Sequence, residues 1–233
     1  MIRALTFDTY GTVVDWRSSV LAQLEAFGAR HRLAVDWVKF LDDWKSAYRP
    51  GMDRVNRGES PWMTVDAIYR ERLDALLAEQ KVTGADAAEI ADLAHAWWRL
   101  QPWPDAVAGL TRLRERYIIS PLSNASFIGM VELARFAKLP WHCVITAENA
   151  RCYKPKPEAY RTAISLLGMS PGEVMMVAAH NYDLVSARAE GMATAFVPRP
   201  MEWGPGQYTD LAPTAEWDVV AKDFGDLADR LGC

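Results

Sequence analysis

Four residues of this chain pair useful chemistry with a telling position: Asp8, Ser123, Lys154 and Asp183. A carboxylate can act as nucleophile or base and a hydroxyl can orient it. An ammonium beside it keeps it ionised, because an opposite charge favours carboxylate over carboxylic acid. Each of the four follows a short apolar run. Ile2 to Phe7 ends at Asp8, Tyr117 to Leu122 ends at Ser123-Asn124, Cys143 to Thr146 leads through a polar loop to Lys154, and Val174 to Ala179 ends at His180 and Asp183. Taken singly, the two aspartates could cap helices or turns, Ser123-Asn124 could form a turn, and Lys154 could be a solvated loop residue. Four of them beyond four different strands favour one shared crevice, since an open parallel sheet binds its ligands outside the carboxyl ends of its strands.

The elements that would position these residues follow from the pattern between them. A fifth apolar run, Ala193 to Val197, ends at Pro198. Helical patterns separate the runs: Asp105 precedes Val107, Leu110 and Leu113, Pro157 stands where a first helical turn tolerates proline, and Asp183 opens a stretch that Gly191 closes. Strand alternating with helix implies an α/β fold with a doubly wound parallel sheet. From about Ser18 to Trp98 the alternation stops. That stretch is helical almost throughout, with Val20, Leu21, Leu24 and Phe27 marking one helix and Ile68, Leu73, Leu76 and Leu77 another. It separates the first strand from the other four and therefore reads as an inserted helical cap, residues 16–99, on a core of residues 1–15 and 100–233. Pro102-Trp103-Pro104 marks the return.

Composition narrows the class of partner. The 233 residues are half apolar, enough for a real core. The net charge of -4 is spread without a basic or acidic run, which disfavours nucleic acid and membrane surfaces and favours a small molecule. No apolar run reaches membrane length and none at the start forms a signal peptide, so the expected location is the cytoplasm. Cys143, Cys152 and Cys233 are odd in number and lack metal-ligand spacing, as expected of free thiols.

The ordered motifs resemble the haloacid dehalogenase superfamily over essentially the whole chain. Phe7-Asp8-Thr9-Tyr10-Gly11-Thr12 is similar to its first motif, Ser123-Asn124 to its second, Tyr153-Lys154-Pro155 to its third and Asp183 to its fourth. The resemblance implies a Rossmann-like core, a helical cap over the site, and an aspartate, Asp8, that becomes alkylated or phosphorylated. Two positions choose between those outcomes. Phosphatases of the superfamily carry a second aspartate two residues after the nucleophile to protonate a departing alkoxide, where this chain has Tyr10. A halide leaves unprotonated and needs no such acid. Their metal-binding aspartate falls on Ala179, which offers magnesium no oxygen. The chain accordingly resembles the type II, or L-2-haloacid, dehalogenases, which implies no metal and no cofactor. A metal-dependent phosphatase and a catalytically silent binding protein are the competing readings.

The expected reaction is backside attack by Asp8 on the carbon bearing halogen, then hydrolysis of the ester to a 2-hydroxy acid, with (S) acids giving (R) products. Similarity to the family makes Asp183, with Lys154, the base for the hydrolytic water. Thr12 and Ser123 would orient Asp8 or the substrate carboxylate. Similar proteins place an arginine after a cap tryptophan for the halide, whereas Trp44 is followed here by Lys45, so Lys45 or Arg49 from the next turn would serve. Tyr10, Tyr48 and Trp62 are expected to line the pocket. Asn124, Tyr160 and Tyr182 match pocket positions of the family. Where many relatives have Ser-x-Asn, this chain has Ala178-Ala179-His180-Asn181, making His180 and Asn181 pocket candidates as well. Extra donors in a smaller pocket would suit fluoride, and so fluoroacetate. Relatives are often homodimers, which is the expected assembly.

Overall fold

The computed structural model describes all residues from Met1 to Cys233. In chain order, β1 (Ala4–Phe7) leads through the Asp8 turn to β2 (Val14–Asp15). Five helices follow: α1 (Trp16–His31), α2 (Trp37–Lys45), α3 (Tyr48–Asn56), α4 (Val65–Glu79) and α5 (Ala87–Ala94), closed by a 3₁₀ turn at His95–Trp98. β3 (Gln101–Pro102) then pairs antiparallel with β2 and stitches the end of the helical block to its beginning. The chain continues through α6 (Ala106–Arg114), β4 (Ile118–Ser123), α7 (Phe127–Ala137), β5 (Ile145–Thr146), α8 (Ala147–Ala150) and α9 (Pro157–Leu167). It ends with β6 (Val174–Ala178), α10 (Asn181–Ala189), β7 (Ala193–Phe196), β8 (Val219–Val220) and α11 (Phe224–Arg230).

Six strands form one parallel sheet in the order β5-β4-β1-β6-β7-β8. All five strands expected from the sequence are present. The sixth, β8, is a two-residue edge strand with too little apolar sequence to announce itself. β1 lies at the centre, flanked by β4 and β6, and the connections wind outward from it in both directions. Its carboxyl end is therefore the topological switch point, where the crevice of a doubly wound sheet opens. Every residue of β1 and of β6 is buried, as strands covered on both faces must be.

Helix starts obey local chemistry. Asp15, Asp36, Thr64 and Ser126 accept a backbone N–H in the first turns of α1, α2, α4 and α7, and Asp86 forms a capping box with Glu89 on α5. Pro157 occupies the first turn of α9 as expected. Two expectations are corrected. α6 begins at Ala106, but Asp105 does not cap it; its carboxylate takes the Arg199 guanidinium on both oxygens, at 2.7 and 2.9 Å, and the Phe224 N–H at 2.8 Å. α10 begins at Asn181, not Asp183, which places Asp183 inside the first turn with its side chain turned into the core.

One continuous apolar core runs from Leu5 and Phe7 of the sheet through Val13, Val14 and Trp16 into Leu24, Leu73, Trp44 and Trp97 of the helical block. A second cluster, including Tyr160, Met176 and Leu184, fills the other face of the sheet. The helical block is thus seated on the sheet through buried side chains, with the end of β1 between them.

Candidate active site

Asp8 follows the last residue of β1, and its N–H is held by the Val177 carbonyl at 3.0 Å, which pins the turn to β6. Its oxygens meet different partners. Oδ1 accepts from Lys154 Nζ at 3.0 Å. Oδ2 accepts from Thr12 Oγ1 at 2.7 Å and pairs with His180 Nδ1 at 2.9 Å. Burial raises the pKa of Asp8, but Lys154, His180 and Thr12 outweigh it and hold the carboxyl well below the usual range. Thr12 is itself aimed by the Ala179 N–H, 2.9 Å from its oxygen. The role of residue 179 here is therefore played by its backbone.

Lys154 lies between two carboxylates, with Asp183 Oδ2 at 2.5 Å on its far side. Asp183 is wholly buried and its Oδ1 accepts from the Tyr160 hydroxyl at 2.5 Å. Burial alone would strip the charge from Lys154, but Asp183 and Asp8 raise its pKa instead. Asn124 fixes the lysine by its backbone: Oδ1 accepts from Lys154 N at 2.8 Å, and Nδ2 donates to Lys154 O at 3.2 Å. The four strand-end residues do converge, although Ser123 does so indirectly. Its hydroxyl accepts from Ala125 N at 3.2 Å and shapes the turn that presents Asn124.

Beyond Asp8 stands a group that the sequence only half disclosed. His180 Nε2 pairs with Glu202 Oε2 at 2.8 Å, and the other Glu202 oxygen accepts from Trp16 Nε1 at 3.0 Å. Burial opposes charge on His180, yet Glu202 and Asp8 on either side hold the imidazole protonated well past its ordinary range. Gly11 is required under this carboxylate. Its φ is +87°, and a side chain there would run into Glu202. Glu202 belongs to the loop after β7, which Arg199 anchors by donating to Thr12 O at 2.8 Å and pairing with Asp105. The strand-end rule that found Asp8 could have flagged this loop, but Glu202 lies six residues past Phe196, in a segment with no motif.

From the helical block, half-buried Lys45 reaches toward the same space. Its ammonium lies 3.9 Å from the Tyr48 ring centroid, 4.8 Å from Trp16 and 5.6 Å from Trp97. Its one hydrogen bond is to the Tyr69 hydroxyl, at 3.3 Å. Burial lowers its pKa to about 8, against the pull of Glu202 and Asp8. Arg49 turns outward, pairing with Asp53 and lying 5.8 Å from the ring of Tyr182, which is itself partly exposed. Tyr48 stacks on Tyr69.

Other expected pocket residues also make contacts within the fold. The Tyr10 hydroxyl donates to the Trp97 carbonyl at 3.1 Å and faces the helical block. Trp62 stacks on Tyr153, 5.0 Å between centroids, bracing the helical block against the Lys154 loop. Asn181 uses its amide on Asp210, Ala212, Thr214 and Trp217, tying down the 210–217 loop. Cys143, Cys152 and Cys233 are free thiols.

The chain matches the family model of the haloacid dehalogenase-like hydrolases over residues 2–191. It is similar to the solved L-2-haloacid dehalogenase PA0810, with 43% identity over 99% of both chains and a TM-score of 0.96. It is equally similar in fold to the defluorinating L-2-haloacid dehalogenase Rha0230, with 46% identity over 100% of this chain and 96% of the other, and a TM-score of 0.96. An (S)-2-haloacid dehalogenase of Xanthobacter autotrophicus is 28% identical over 85% of this chain and 76% of its own length. A structure of L-2-haloacid dehalogenase from that organism, 25% identical over 99% and 98% of the two chains with a TM-score of 0.79, has chloropropionic acid covalently bound. With the motifs of the strand ends in place and the likenesses to solved structures covering 99% or more of it, the chain belongs to the haloacid dehalogenase-like hydrolases, in their L-2-haloacid dehalogenase branch.

Proposed function

We propose that this protein is a hydrolytic (S)-2-haloacid dehalogenase that converts short 2-haloalkanoic acids to 2-hydroxy acids through an ester on Asp8, with inversion at C2. The supporting observation is the inequality of its two buried carboxylates. Asp183 has no exposure and both its oxygens are engaged, whereas Asp8 keeps a small opening to solvent and Oδ1 has a single donor. Asp8 Oδ1 is thus the nucleophilic oxygen. It attacks the carbon bearing halogen from the side opposite the departing halide, and Lys154 holds it anionic and aimed. The covalent adduct in the Xanthobacter relative is in keeping with this step.

The helical block, residues 16–99, acts as the cap. Lys45 is its contribution to anion binding, favoured over Arg49 because Lys45 lies within reach of the charges around Asp8 while Arg49 is spent on Asp53. Asp183, too deep to touch water itself, serves through Lys154, keeping that amine charged and relaying protons with it. A phosphatase reading is weakened by the donor set. Both oxygens of Asp8 face cationic donors, residue 179 has no side-chain oxygen, and Tyr10 supplies no acid. The same pocket is proposed to accept fluoroacetate; the similarity to a defluorinating L-2-haloacid dehalogenase, Rha0230, supports fluoride as a leaving group. We further propose a cytoplasmic homodimer; no helix is long and apolar enough to cross a membrane.

One turnover in heavy-oxygen water with excess enzyme tests the mechanism. Solvent label should enter the peptide containing Asp8, and the hydroxy acid should carry unlabelled oxygen from Asp8. Label appearing first in the hydroxy acid would mean direct attack by water on the substrate. Halide release unaffected by EDTA is expected, and a fluoride electrode reads the fluoroacetate reaction.

A further inference from the structure

We propose that His180, paired with Glu202, is the oxyanion donor for hydrolysis of the Asp8 ester, so that this chain uses a charged imidazole in the second half of its reaction. The inference rests on the covalent reading above. With Oδ1 alkylated, Oδ2 becomes the carbonyl oxygen of the ester. It is the oxygen that already has two donors, Thr12 Oγ1 at 2.7 Å and His180 Nδ1 at 2.9 Å. Water adds to Cγ, and the carbonyl electron pair moves onto Oδ2, toward both donors. Collapse restores the carbonyl at Oδ2 and breaks the bond from Cγ to Oδ1, which leaves with the product. As the Cγ–Oδ1 bond breaks, the Lys154 ammonium, whose nitrogen already touches Oδ1, gives that oxygen a proton and takes one from the added water in exchange. The second proton of the water is lost to solvent as the regenerated Asp8 carboxyl ionises. Preorganised donors aimed at developing charge are among the strongest devices available to an enzyme, and a charged donor exceeds a neutral one.

Glu202 is a positioning residue in this scheme. It holds the far nitrogen at 2.8 Å, is itself fixed by Trp16 Nε1, and is nearly fully buried. The groups around the imidazole are Asp8 from the end of β1, Glu202 from the loop after β7, and Tyr182 stacked on it from its own helix. Lys45 approaches from the helical block, within the field of both Asp8 and Glu202, and Lys154 lies across Asp8. Alkylation removes the negative charge of Asp8, leaving Glu202 as the carboxylate that keeps His180 protonated when the oxyanion forms.

Rapid quench with chloroacetate, followed by mass spectrometry of the Asp8 peptide, separates ester formation from ester decay. His180→Ala is expected to slow decay about 100-fold while changing formation less than about threefold, so the ester accumulates with a burst of chloride. Glu202→Gln keeps the shape and leaves Nδ1–H on Oδ2 but removes the charge support. It is expected to slow decay about tenfold and to move the alkaline fall of the decay rate to lower pH, because the imidazolium is then lost earlier. The isosteric Glu202→Gln carries the test alone if His180→Ala does not fold. Formation slowed as much as decay, or decay with an unchanged rate and pH limb, would overturn the assignment. Absence of solvent label on Asp8 in the wild type would identify a failure of the covalent reading itself, with which the oxyanion role also falls.

Discussion

The floor and the roof of the site are built on opposite electrostatic plans. In the floor, at the ends of β1 and β6 and in the loop before α9, the buried charges face partners of opposite sign: Lys154 between Asp8 and Asp183, His180 between Asp8 and Glu202. In the roof, Trp44, Tyr69 and Trp97 pack face and edge, with Tyr69 and Trp97 stacked at 4.1 Å, and Lys45 points a cation among rings with no carboxylate bonded to it. A floor balanced in this way fixes protonation states and geometry before substrate arrives. A roof with an unbalanced cation leaves electrostatic room for an incoming anion, the carboxylate or halide of a small substrate. Damage to the floor should therefore abolish chemistry, and damage to the roof should weaken binding first.

The largest effects are expected in the floor. Asp8→Asn should lower kcat by at least about 10⁴-fold, since the nucleophilic charge itself is lost. Lys154→Met leaves Asp8 and Asp183 facing each other without the cation between them. About 10³-fold loss of kcat should come with destabilisation of about 3–5 kcal/mol at neutral pH, read from the denaturant midpoint. The stability loss should shrink in acid, because protonating either carboxylate relieves the repulsion. A Lys154→Met protein as stable as the wild type would mean that the triad is less enclosed than its geometry implies.

The roof should respond differently. Lys45→Met should raise KM for chloroacetate by about 10- to 100-fold with a smaller effect on kcat, the scale of a lost charged hydrogen bond to an anion. The pH dependence gives an independent check. Burial lowers Lys45 to about 8, so its cation is present below that pH and lost above it. The value of kcat/KM, which reports the free enzyme, should then fall as pH rises through about 8. Lys45→Arg keeps its charge and should move this fall to higher pH. An unchanged alkaline limb in Lys45→Arg would remove Lys45 from anion binding.

The same contrast explains what could be read from the sequence. Asp8 directly follows an apolar run that becomes a buried strand and Asp183 lies in the helix turn after another, so the sheet's geometry places both, while Lys154 reaches the site from beyond β5 and the short helix α8. Tyr160 is a pocket position by likeness to the family, and only packing shows that its hydroxyl is bonded to Asp183. Roof residues sit on helices whose aromatic stripe looks alike whether it faces the core or a ligand. The sequence could therefore leave Lys45 and Arg49 as alternatives, and only the packing of α2 and α3 against α4 separates them. Glu202 escaped because its partner was the unusual residue. His180 stood out as a departure from the family pattern, but nothing linear connects it to an acid 22 positions later. Asn181 is adjacent in sequence to His180, but the start of α10 turns its side chain toward the 210–217 loop.

Tyr10 gives the finest test, because it belongs to the floor by sequence and to the roof by contact. It follows Asp8 by two residues, the position from which a phosphatase aspartate would reach its leaving group, yet its hydroxyl donates to the Trp97 carbonyl and its ring packs 6.2 Å from that of Trp97. Tyr10→Phe keeps the ring and removes one buried hydrogen bond. The expected cost is about 1–2 kcal/mol of stability, seen as a lower urea midpoint at constant m, with kcat within about threefold of wild type. A buried hydroxyl that held the roof but took no part in chemistry would behave in this way. Loss of kcat by about 100-fold or more would instead make Tyr10 a participant in the reaction and move it back to the floor.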